Sequence, residues 1–315
     1  MSNTEHTPCL QVLQTGPWAS LQDAGRFGVR QQGITQGGPA DLHAWAWSNR
    51  LLGNPWGTAA IEILFGGLVL EAQGTTWACL TGADLGACLD NQPLPLWQPF
   101  PIKEGQKLSL HIPRQGLRAY LAVLGGFQDL PVTLGSSSCV AREGLGGHLG
   151  QGQLLAEGDQ LRLPTEKLQP PKTPTLKPSI PDYQQPARLK VLLGAQAGHF
   201  SGTSLFAAFN HEWQLDQRAD RMGIRLLGPQ LQYQGQAMIS EAIGLGGVQV
   251  PPDGQPFVLL NDRQTLGGYP RLGTLTPLAC SALAQCPPGQ RLRFQAVGLG
   301  QAQREYRSFR AQFNT

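Results

Sequence analysis

The chain has 315 residues, a formal net charge of +3 and only 14% charged residues, against roughly 25% in an average globular protein. So small a charge, with no basic run interleaved with aromatic residues, argues against a nucleic-acid partner. No run of about 18 apolar residues occurs, so we predict no membrane-spanning segment. The sparsely charged surface leads us to expect a subunit that buries part of itself against a partner.

The cellular compartment is predicted from the N-terminus and the cysteines. Glu5 and His6 interrupt the region from Met1 to Leu13, which lacks the apolar core of a signal peptide. The six cysteines form no C-x-x-C pair and are too sparse for a disulfide framework. The histidines have no zinc-ligand spacing. We therefore expect a cytoplasmic protein without a metal site.

The first candidate site is the tight loop from Ser20 to Gly28. Gln22, Asp23 and Arg26 place a carboxamide, a carboxylate and a guanidinium close together. Arg26 is suited to bidentate binding of a carboxylate or phosphate, with Asp23 holding it in place. The alternative is a structural Asp–Arg clamp across the turn, so the loop predicts either a substrate site or a brace.

A helix is predicted from Ala40 to Leu52, with Gly53 just after its end. Asp41 is a natural N-cap for this helix and is also a candidate substrate-binding residue. Glu62 follows in the apolar run from Ala59 to Phe65, where an unpaired carboxylate would be costly. We expect Glu62 either to pair with a cation or to be a functional carboxylate with a raised pKa.

Short segments of alternating polarity dominate the rest of the chain. Leu108–Ile112 and Tyr120–Leu124 are examples, and 40 glycines and 25 prolines supply the turns between such segments. Closure of a sheet removes the exposed edges that short strands otherwise leave. We therefore predict a mainly β fold of two closed or nearly closed barrels, with a second short helix from Ala279 to Gln285.

A glycine-rich and serine-rich region from Leu134 to Gly150 offers backbone donors to an anion. It lacks the Gly-Lys-Ser/Thr ending of a P-loop, which argues against a nucleotide site of that type. Cys139 lies within it without an identifiable histidine partner. We interpret Cys139 as a packed thiol rather than a nucleophile.

The prolines between 164 and 187 predict an extended linker that divides the chain near its middle. The length suits two domains of roughly 150 residues each. We predict an N-terminal β-barrel domain at 1–163 and a C-terminal β-barrel domain at 188–315.

The two halves share sequence features that indicate an internal duplication. Asp90–Leu94 in the first half corresponds to Asp253–Phe257 in the second, and a Gly-polar-x-Leu strand entry follows at Gly105 and at Gly289, with a third at Gly158. The second copy is longer between these features. A functional site is expected where one copy of a repeat contains additional residues.

Two arginines of the second half, Arg221 and Arg225, are candidate catalytic residues. If their segment is a strand, both point to one face, and both guanidiniums converge on one anion. Solvated arginines on a sheet face are the alternative.

The strongest candidate site is the polar segment from Val248 to Pro270, where strand-like runs are broken by turn residues. Gly267 and Gly268 permit close approach of the backbone to a ligand. The candidate catalytic residues here are Asp262 and Arg263, and the candidate substrate-binding residues are Gln249, Asp253, Gln255, Gln264, Thr265 and Tyr269.

This segment closely resembles the family of the 5-oxoprolinase C subunit, which includes part of the carboxyltransferase domain of urea carboxylase. Further blocks that carry the resemblance are Ser20–Arg26, Gly33–Asp41, Thr81–Ala83, Arg118–Gly126, Leu134–Ser138 and Asp220–Gly228. The chain departs from the family pattern at Gly37–Asp41 and has Ser137 where arginine is favoured, which weakens the case for an anion site in that loop.

The resemblance implies cyclophilin-like β-barrels that work with a sister subunit of related fold and a TIM-barrel-like subunit. Such complexes hydrolyse 5-oxoproline to glutamate at the expense of ATP. Relatives imply two alternatives: a carboxyltransferase subunit that receives carboxybiotin from a partner and acts on urea or a similar amide, and a regulator that antagonises a kinase inhibitor. The chain has no biotin-attachment lysine, so biotin would arrive on another protein.

In the oxoprolinase interpretation, Arg221, Arg225 and Arg263 bind phosphate or the substrate carboxylate and stabilise developing charge. Asp262 or Asp253 orients a cation or proton. The side chains expected to position the substrate include those of Gln249, Gln255 and Tyr269.

Overall fold

In the computed structural model, which describes residues 7–166, 169–172, 177–236 and 238–313, the chain is mainly β. The prediction of a mainly β protein is therefore confirmed. The described helices are few and short, and none of them is long and apolar enough to cross a membrane.

The first half consists of two sheets that share one core. Its elements are β1 (Cys9–Gln14), β2 (Trp18–Gln22), α1 (Leu42–Leu52), β3 (Ala60–Leu64), β4 (Val69–Gln73), β5 (Thr76–Asp84), β6 (Cys88–Leu89), β7 (Gln92–Pro93), β8 (Pro99–Ile102), β9 (Lys107–Ser109), β10 (Gln115–Val123) and β11 (Gln160–Arg162). One sheet has the order β11-β1-β4-β9-β6-β7 and the other β2-β3-β10-β5-β8. Leu10 and Leu70 of the first sheet pack with Ile61 and Leu121 of the second.

The second half is a closed barrel with the strand order β12-β19-β16-β17-β14-β13-β20. Its elements are β12 (Ala187–Leu193), α2 (Gly202–Asn210), β13 (Trp213–Ala219), β14 (Gly223–Leu227), β15 (Glu241–Ala242), β16 (Gly247–Gln249), β17 (Phe257–Leu259), β18 (Leu266–Gly267), β19 (Arg271–Leu275), α3 (Pro277–Ala284), β20 (Arg291–Ala296) and α4 (Leu299–Ala311). The short strands β15 and β18 pair outside the barrel. A closed barrel in this half agrees with the prediction.

Helix α1 ends where the sequence predicts and begins two residues later, at Leu42 instead of Ala40. Asp41 caps it, since its Oδ1 accepts a hydrogen bond from the backbone N–H of Ala44 at 3.0 Å. Gly53 ends it with a φ of 78°, a conformation that glycine adopts without steric cost. The weaker helix prediction is also confirmed, because α3 covers Pro277–Ala284.

Helices α2 and α4 were not predicted. Helix α4 is largely polar, and Phe309 is the one residue of it that is buried. Just beyond its end, Phe313 packs edge-on against Trp47 of α1, and the guanidinium of Arg310 lies 3.5 Å above the ring of Trp56. The last helix therefore packs into the core of the first half, and it ties the two halves together.

The three Gly-polar-x-Leu turns have the same local structure. Gly105, Gly158 and Gly289 have φ values of 82°, 92° and 83°, and a strand begins two residues after each of them. Each glycine N–H also donates to a strand carbonyl, those of Ala72, Val12 and Leu215. The predicted strand entries are confirmed, while the duplication of the two halves remains an inference.

The segment between β11 and β12 has no helix or strand in its described residues 163–166, 169–172 and 177–186. Its last part contacts the first half, because the side chain of Gln115 donates to Asp182 at 2.9 Å. The domain boundaries proposed from the prolines remain a prediction.

Candidate functional site

A buried cluster of charged side chains lies where the two halves meet. Arg221, just before β14, donates through Nη1 to Oε1 of Glu62 on β3 at 2.7 Å. Its Nε and Nη2 bind the two carboxylate oxygens of Asp262 at 2.9 and 3.0 Å. Nη2 also donates to the carbonyl of Gly38 at 2.7 Å. One guanidinium thus joins two carboxylates from opposite halves of the chain.

Glu62 is satisfied on its other oxygen as well. Its Oε2 accepts from the hydroxyl of Tyr120 at 2.7 Å and from the backbone N–H of Ala40 at 2.8 Å. Nε of Arg118 lies 3.9 Å from Oε1. The expectation that Glu62 pairs with a cation is confirmed, and the cations are Arg221 and Arg118.

Strand register explains why these side chains meet. Glu62 lies on β3, between β2 and β10, directly opposite Ser20 on one side and Tyr120 on the other. Directly opposite residues on neighbouring strands point to the same face. Gln22 is on that face of β2 too, and its Oε1 is 3.5 Å from Nη2 of Arg221.

The pKa values of the cluster follow from burial and from the ion pairs. Burial alone would raise the pKa of Glu62, but Arg221 and Arg118 outweigh it, so this pKa lies below its ordinary value. For Asp262, burial outweighs the pull of Arg221 and raises the pKa. Burial would lower the pKa of Arg221, yet Asp262 and Glu62 raise it, so Arg221 stays positively charged.

A cleft of about 380 Å³ opens beside the cluster and is lined by Arg221, Asp262, Glu62 and Arg118. The exposed Arg142 also lines it and donates to Glu143 at 3.0 Å. A small cleft that combines buried and exposed arginines is suited to a small anionic substrate. This cleft, the Arg221 cleft, is the candidate functional site.

The loop of Asp23 proves to be an internal brace. Asp23 accepts from the hydroxyls of Ser136 and Ser138 at 2.5 and 2.7 Å and from the backbone N–H of Ser137 at 2.6 Å. These bonds join the loop of Asp23 to the serine-rich loop that begins at Leu134. The sequence analysis treated these two loops as separate candidate sites.

Arg26 is fully buried and takes part in the same brace. Its guanidinium donates to the carbonyls of Thr133 and Ser138 at 3.1 and 2.7 Å. Among the described residues, Arg26 makes no hydrogen bond to Asp23. The alternative of an Asp–Arg clamp across the turn is therefore wrong, because the two side chains bind the neighbouring loop separately. Burial lowers the pKa of Arg26, which does not line the Arg221 cleft.

The expectation that Arg221 and Arg225 converge on one anion is wrong. Arg221 lies before β14 begins, so the alternation of a strand does not apply to it. Arg225 pairs instead with Asp253, and its Nε lies 3.9 Å from Asp216. The two guanidiniums therefore serve different carboxylates.

Arg263 is buried and is held by backbone oxygens. It donates to the carbonyls of Leu260 and Ile243 at 3.1 and 3.3 Å and to the side chain of Gln36 at 3.4 Å. Burial is the main cause that lowers the pKa of Arg263, to about 10. Arg263 braces loops of both halves and does not line the Arg221 cleft.

The other predicted residues are spread over several places. Asp41 caps α1 and accepts from Gln285 at 2.7 Å, and Gln255 clamps Gly228 through its amide group. Gln249 is buried on β16, and Gln264 accepts from Arg30 through its carbonyl. The carbonyl of Thr265 accepts from Ile243, and Asp253 and Tyr269 line a separate cleft of about 610 Å³. Of the predicted residues, the structure brings Gln22, Arg221 and Asp262 together.

Sequence reasoning missed three residues of the site: Arg118, Tyr120 and Arg142. Arg118 and Tyr120 are two apart on β10, a strand whose other central residues are apolar and buried. Two polar side chains on one face of an otherwise apolar strand are a usable signal for a buried partner. Arg142 belongs to a loop and has no such signal. Among the described residues, no group of three or more His, Cys, Asp or Glu side chains is placed to hold a metal ion.

The chain belongs to a family of carboxyltransferase domains: residues 32–296 match the sequence model of the family described as carboxyltransferase domain, subdomain A and B. Among named relatives, it is 37% identical to the 5-oxoprolinase C subunit of Escherichia coli over 294 residues, which are 93% of each protein. It is 30% identical to a putative urea carboxylase of Emericella nidulans, over 95% of this chain and 25% of that protein.

The fold is shared with a larger enzyme of known structure. The urea carboxylase of Kluyveromyces lactis superimposes with a TM-score of 0.89 and 25% sequence identity, over 99% of this chain. The chain spans 29% of that structure's length. It therefore corresponds to one part of urea carboxylase and to nearly the whole of the 5-oxoprolinase C subunit.

Proposed function

We propose that this chain is a subunit of an ATP-dependent 5-oxoprolinase complex that converts 5-oxoproline to glutamate in the cytoplasm. The observation that carries the proposal is the match to the 5-oxoprolinase C subunit at 37% identity over 93% of both proteins. Because the two proteins match over almost their whole lengths, we infer that they occupy the same position in an assembly. The proposed partners are a sister subunit of related fold and a TIM-barrel-like subunit.

The chemistry of the Arg221 cleft is consistent with this role. The substrate carries one carboxylate, and Arg142 is the exposed cation beside the buried cluster. Arg221 and Arg118 lie beneath it, where Glu62 and Asp262 balance their charge and hold their donor groups in place. A prearranged set of this kind stabilises an anion without reorganising. ATP, bound at the level of the complex, supplies the phosphoryl group that makes the lactam carbonyl easier to open.

A carboxyltransferase subunit is the second candidate. It is favoured by the superposition on urea carboxylase, which covers nearly all of this chain. In that case carboxybiotin arrives on a partner, and an amide such as urea is the acceptor. The same cleft then binds the acceptor or the carboxyl group being transferred.

The deciding experiment is reconstitution of the chain with its two proposed partner subunits. Release of glutamate from 5-oxoproline is measured with and without ATP, and with each subunit omitted in turn. We expect ATP-dependent glutamate that disappears when this chain is left out. Stable assembly without glutamate contradicts the proposal, and avidin-sensitive carboxylation of urea by the assembly with a biotin-bearing partner selects the alternative.

A matched pair of variants tests the site within that assay. Arg142→Gln removes the exposed cation of the Arg221 cleft, whereas Arg291→Gln removes an arginine that pairs with Glu212 on the barrel surface. We expect the first to lower kcat/KM at least tenfold, about 1.4 kcal/mol of transition-state stabilisation, and the second to leave it unchanged. Equal activity of the two variants removes Arg142 from the site.

A further inference from the structure

A second and larger cleft, of about 950 Å³, shares no lining residue with the Arg221 cleft. Its walls come from five parts of the chain: the start of α1, residues 179–186, the strand β12, and the helices α3 and α4. Both halves therefore contribute to it. The volume is at the upper end of the range for small-molecule sites.

Two of the walls present regular faces. Arg188 and Lys190 lie on the outer face of β12, while Leu189 and Val191 alternate with them and point into the barrel core. Helix α4 contributes the residues 304, 305, 308 and 309, a spacing that places them on one side of a helix, and Gln312 follows at its C-terminal end. The cleft is thus built on rigid elements.

One part of the cleft is apolar. Phe309 of α4 lines it and stacks on the ring of His43 with a centroid distance of 5.9 Å and an interplanar angle of 29°. Leu278 and Ala282 of α3 and the ring of Pro181 complete this part. Because Phe309 is itself buried, the surface open to a ligand is that of Leu278, Ala282 and Pro181, and it suits an apolar body.

The charged residues of the cleft leave positive charge available. Lys190 is paired with Glu305 at 2.7 Å. Asp182 accepts a hydrogen bond from the neutral side chain of Gln115 and keeps its negative charge. Arg188 and Arg304 form no ion pair with a carboxylate anywhere in the described part of the chain. Both arginines are solvent-exposed and line the cleft. They are therefore free to bind an incoming anion.

The ionisable groups at the inner end of the cleft do not oppose an anion. Both carboxylate oxygens of Asp41 are hydrogen-bonded, to Ala44 and Gln285, and burial raises its pKa. Burial also raises the pKa of Tyr183, which keeps its hydroxyl neutral, and lowers the pKa of His43. Among the described lining residues, the unpaired carboxylate of Asp182 thus faces the two arginines Arg188 and Arg304, so positive charge is in excess.

We propose that this cleft is a binding site for a small organic anion with an apolar body, such as an aromatic carboxylate, sulfonate or phosphate. The anionic group binds to Arg188 and Arg304, and the apolar body packs against the side chains of α3 that lie beside Phe309. The site is independent of the proposed oxoprolinase role, because it uses none of the residues of the Arg221 cleft.

The test uses anilinonaphthalene sulfonate as the probe and neutral N-phenylnaphthylamine, which lacks the sulfonate, as its partner. Fluorescence titration of the purified full chain is expected to show a saturable site for the sulfonate. The double variant Arg188→Gln/Arg304→Gln is expected to raise Kd for the sulfonate at least tenfold and to leave the neutral probe unaffected.

The matched control is Arg114→Gln/Arg307→Gln, which removes the same charge from exposed arginines that do not line the cleft. It is expected to bind like the parent chain. Ala282→Phe, which fills the apolar part from α3, is expected to abolish the site, and Ser308→Trp does the same from α4 if the first variant does not fold. Binding of the sulfonate that survives both the arginine pair and the filled cleft overturns the proposal.

Discussion

Nη1 of Arg221 lies 2.7 Å from Oε1 of Glu62, and the two residues are 159 positions apart in the chain. Both side chains are almost completely shielded from solvent, with side-chain exposures of 6% and 1%. The contact joins the barrel of the second half to a central strand of the first. A buried pair of this kind penalises the loss of either partner.

Glu62→Gln is expected to destabilise the protein by about 3 kcal/mol, because it leaves two buried guanidiniums with one carboxylate between them. Urea denaturation followed by intrinsic fluorescence measures the change. Glu157→Gln, at an exposed position, is the control and should change the stability by less than about 0.5 kcal/mol. A similar small effect at both positions would show that the cluster contributes little to folding.

The stability of the protein should depend on pH through Glu62. Because the folded-state pKa of Glu62 lies below its unfolded value of about 4.3, its contribution is present above that pH and is lost as the pH falls through the folded value. The difference in unfolding free energy between the parent chain and Glu62→Gln should therefore be constant near neutral pH and shrink in acid. A difference that grows on acidification would contradict this assignment.

Thiol reactivity should separate Cys88 from the other cysteines. Cys88 is partly exposed, whereas the other five are buried. Burial raises the pKa of Cys139 to about 11 and those of Cys280 and Cys286 to about 12. Native protein treated with a disulfide reagent near pH 8 should show one fast thiol, and Cys88→Ser should remove that phase. Fast reaction of Cys139 would reopen its interpretation as a nucleophile.

Asp23→Asn should loosen the brace between the two loops of the first half. The substitution removes the charge that accepts from Ser136, Ser137 and Ser138. It also turns an amide group towards their donors. We expect a loss of about 2 kcal/mol or more, since hydrogen bonds to charged groups are the stronger ones.

Asp129→Asn is the control for this brace, because Asp129 pairs with Arg162 at an exposed site where such pairs are weak. Equal thermal stability of the two variants would show that the Asp23 brace is not needed for folding.

Features that depend on near neighbours in the chain were predictable from the amino-acid sequence. Helix α1 with its cap at Asp41, the strand entries at Gly105 and Gly289, and the need of Glu62 for a cation are all set by residues a few positions away. Capping, turn conformation and the cost of burying a carboxylate act locally, so a single chain without structural information is enough to predict them.

The contacts between distant side chains, in contrast, follow from the folded arrangement of the chain. Arg221 and Arg225 are close in sequence but bind different carboxylates, and Arg26 donates to the carbonyl of Ser138, 112 positions away. The polar helix α4 lies at the far end of the chain from α1, yet its Phe309 stacks on His43 of α1. Strand register and the packing of whole helices and strands determine which distant side chains come into contact. Local sequence patterns contain no information about either.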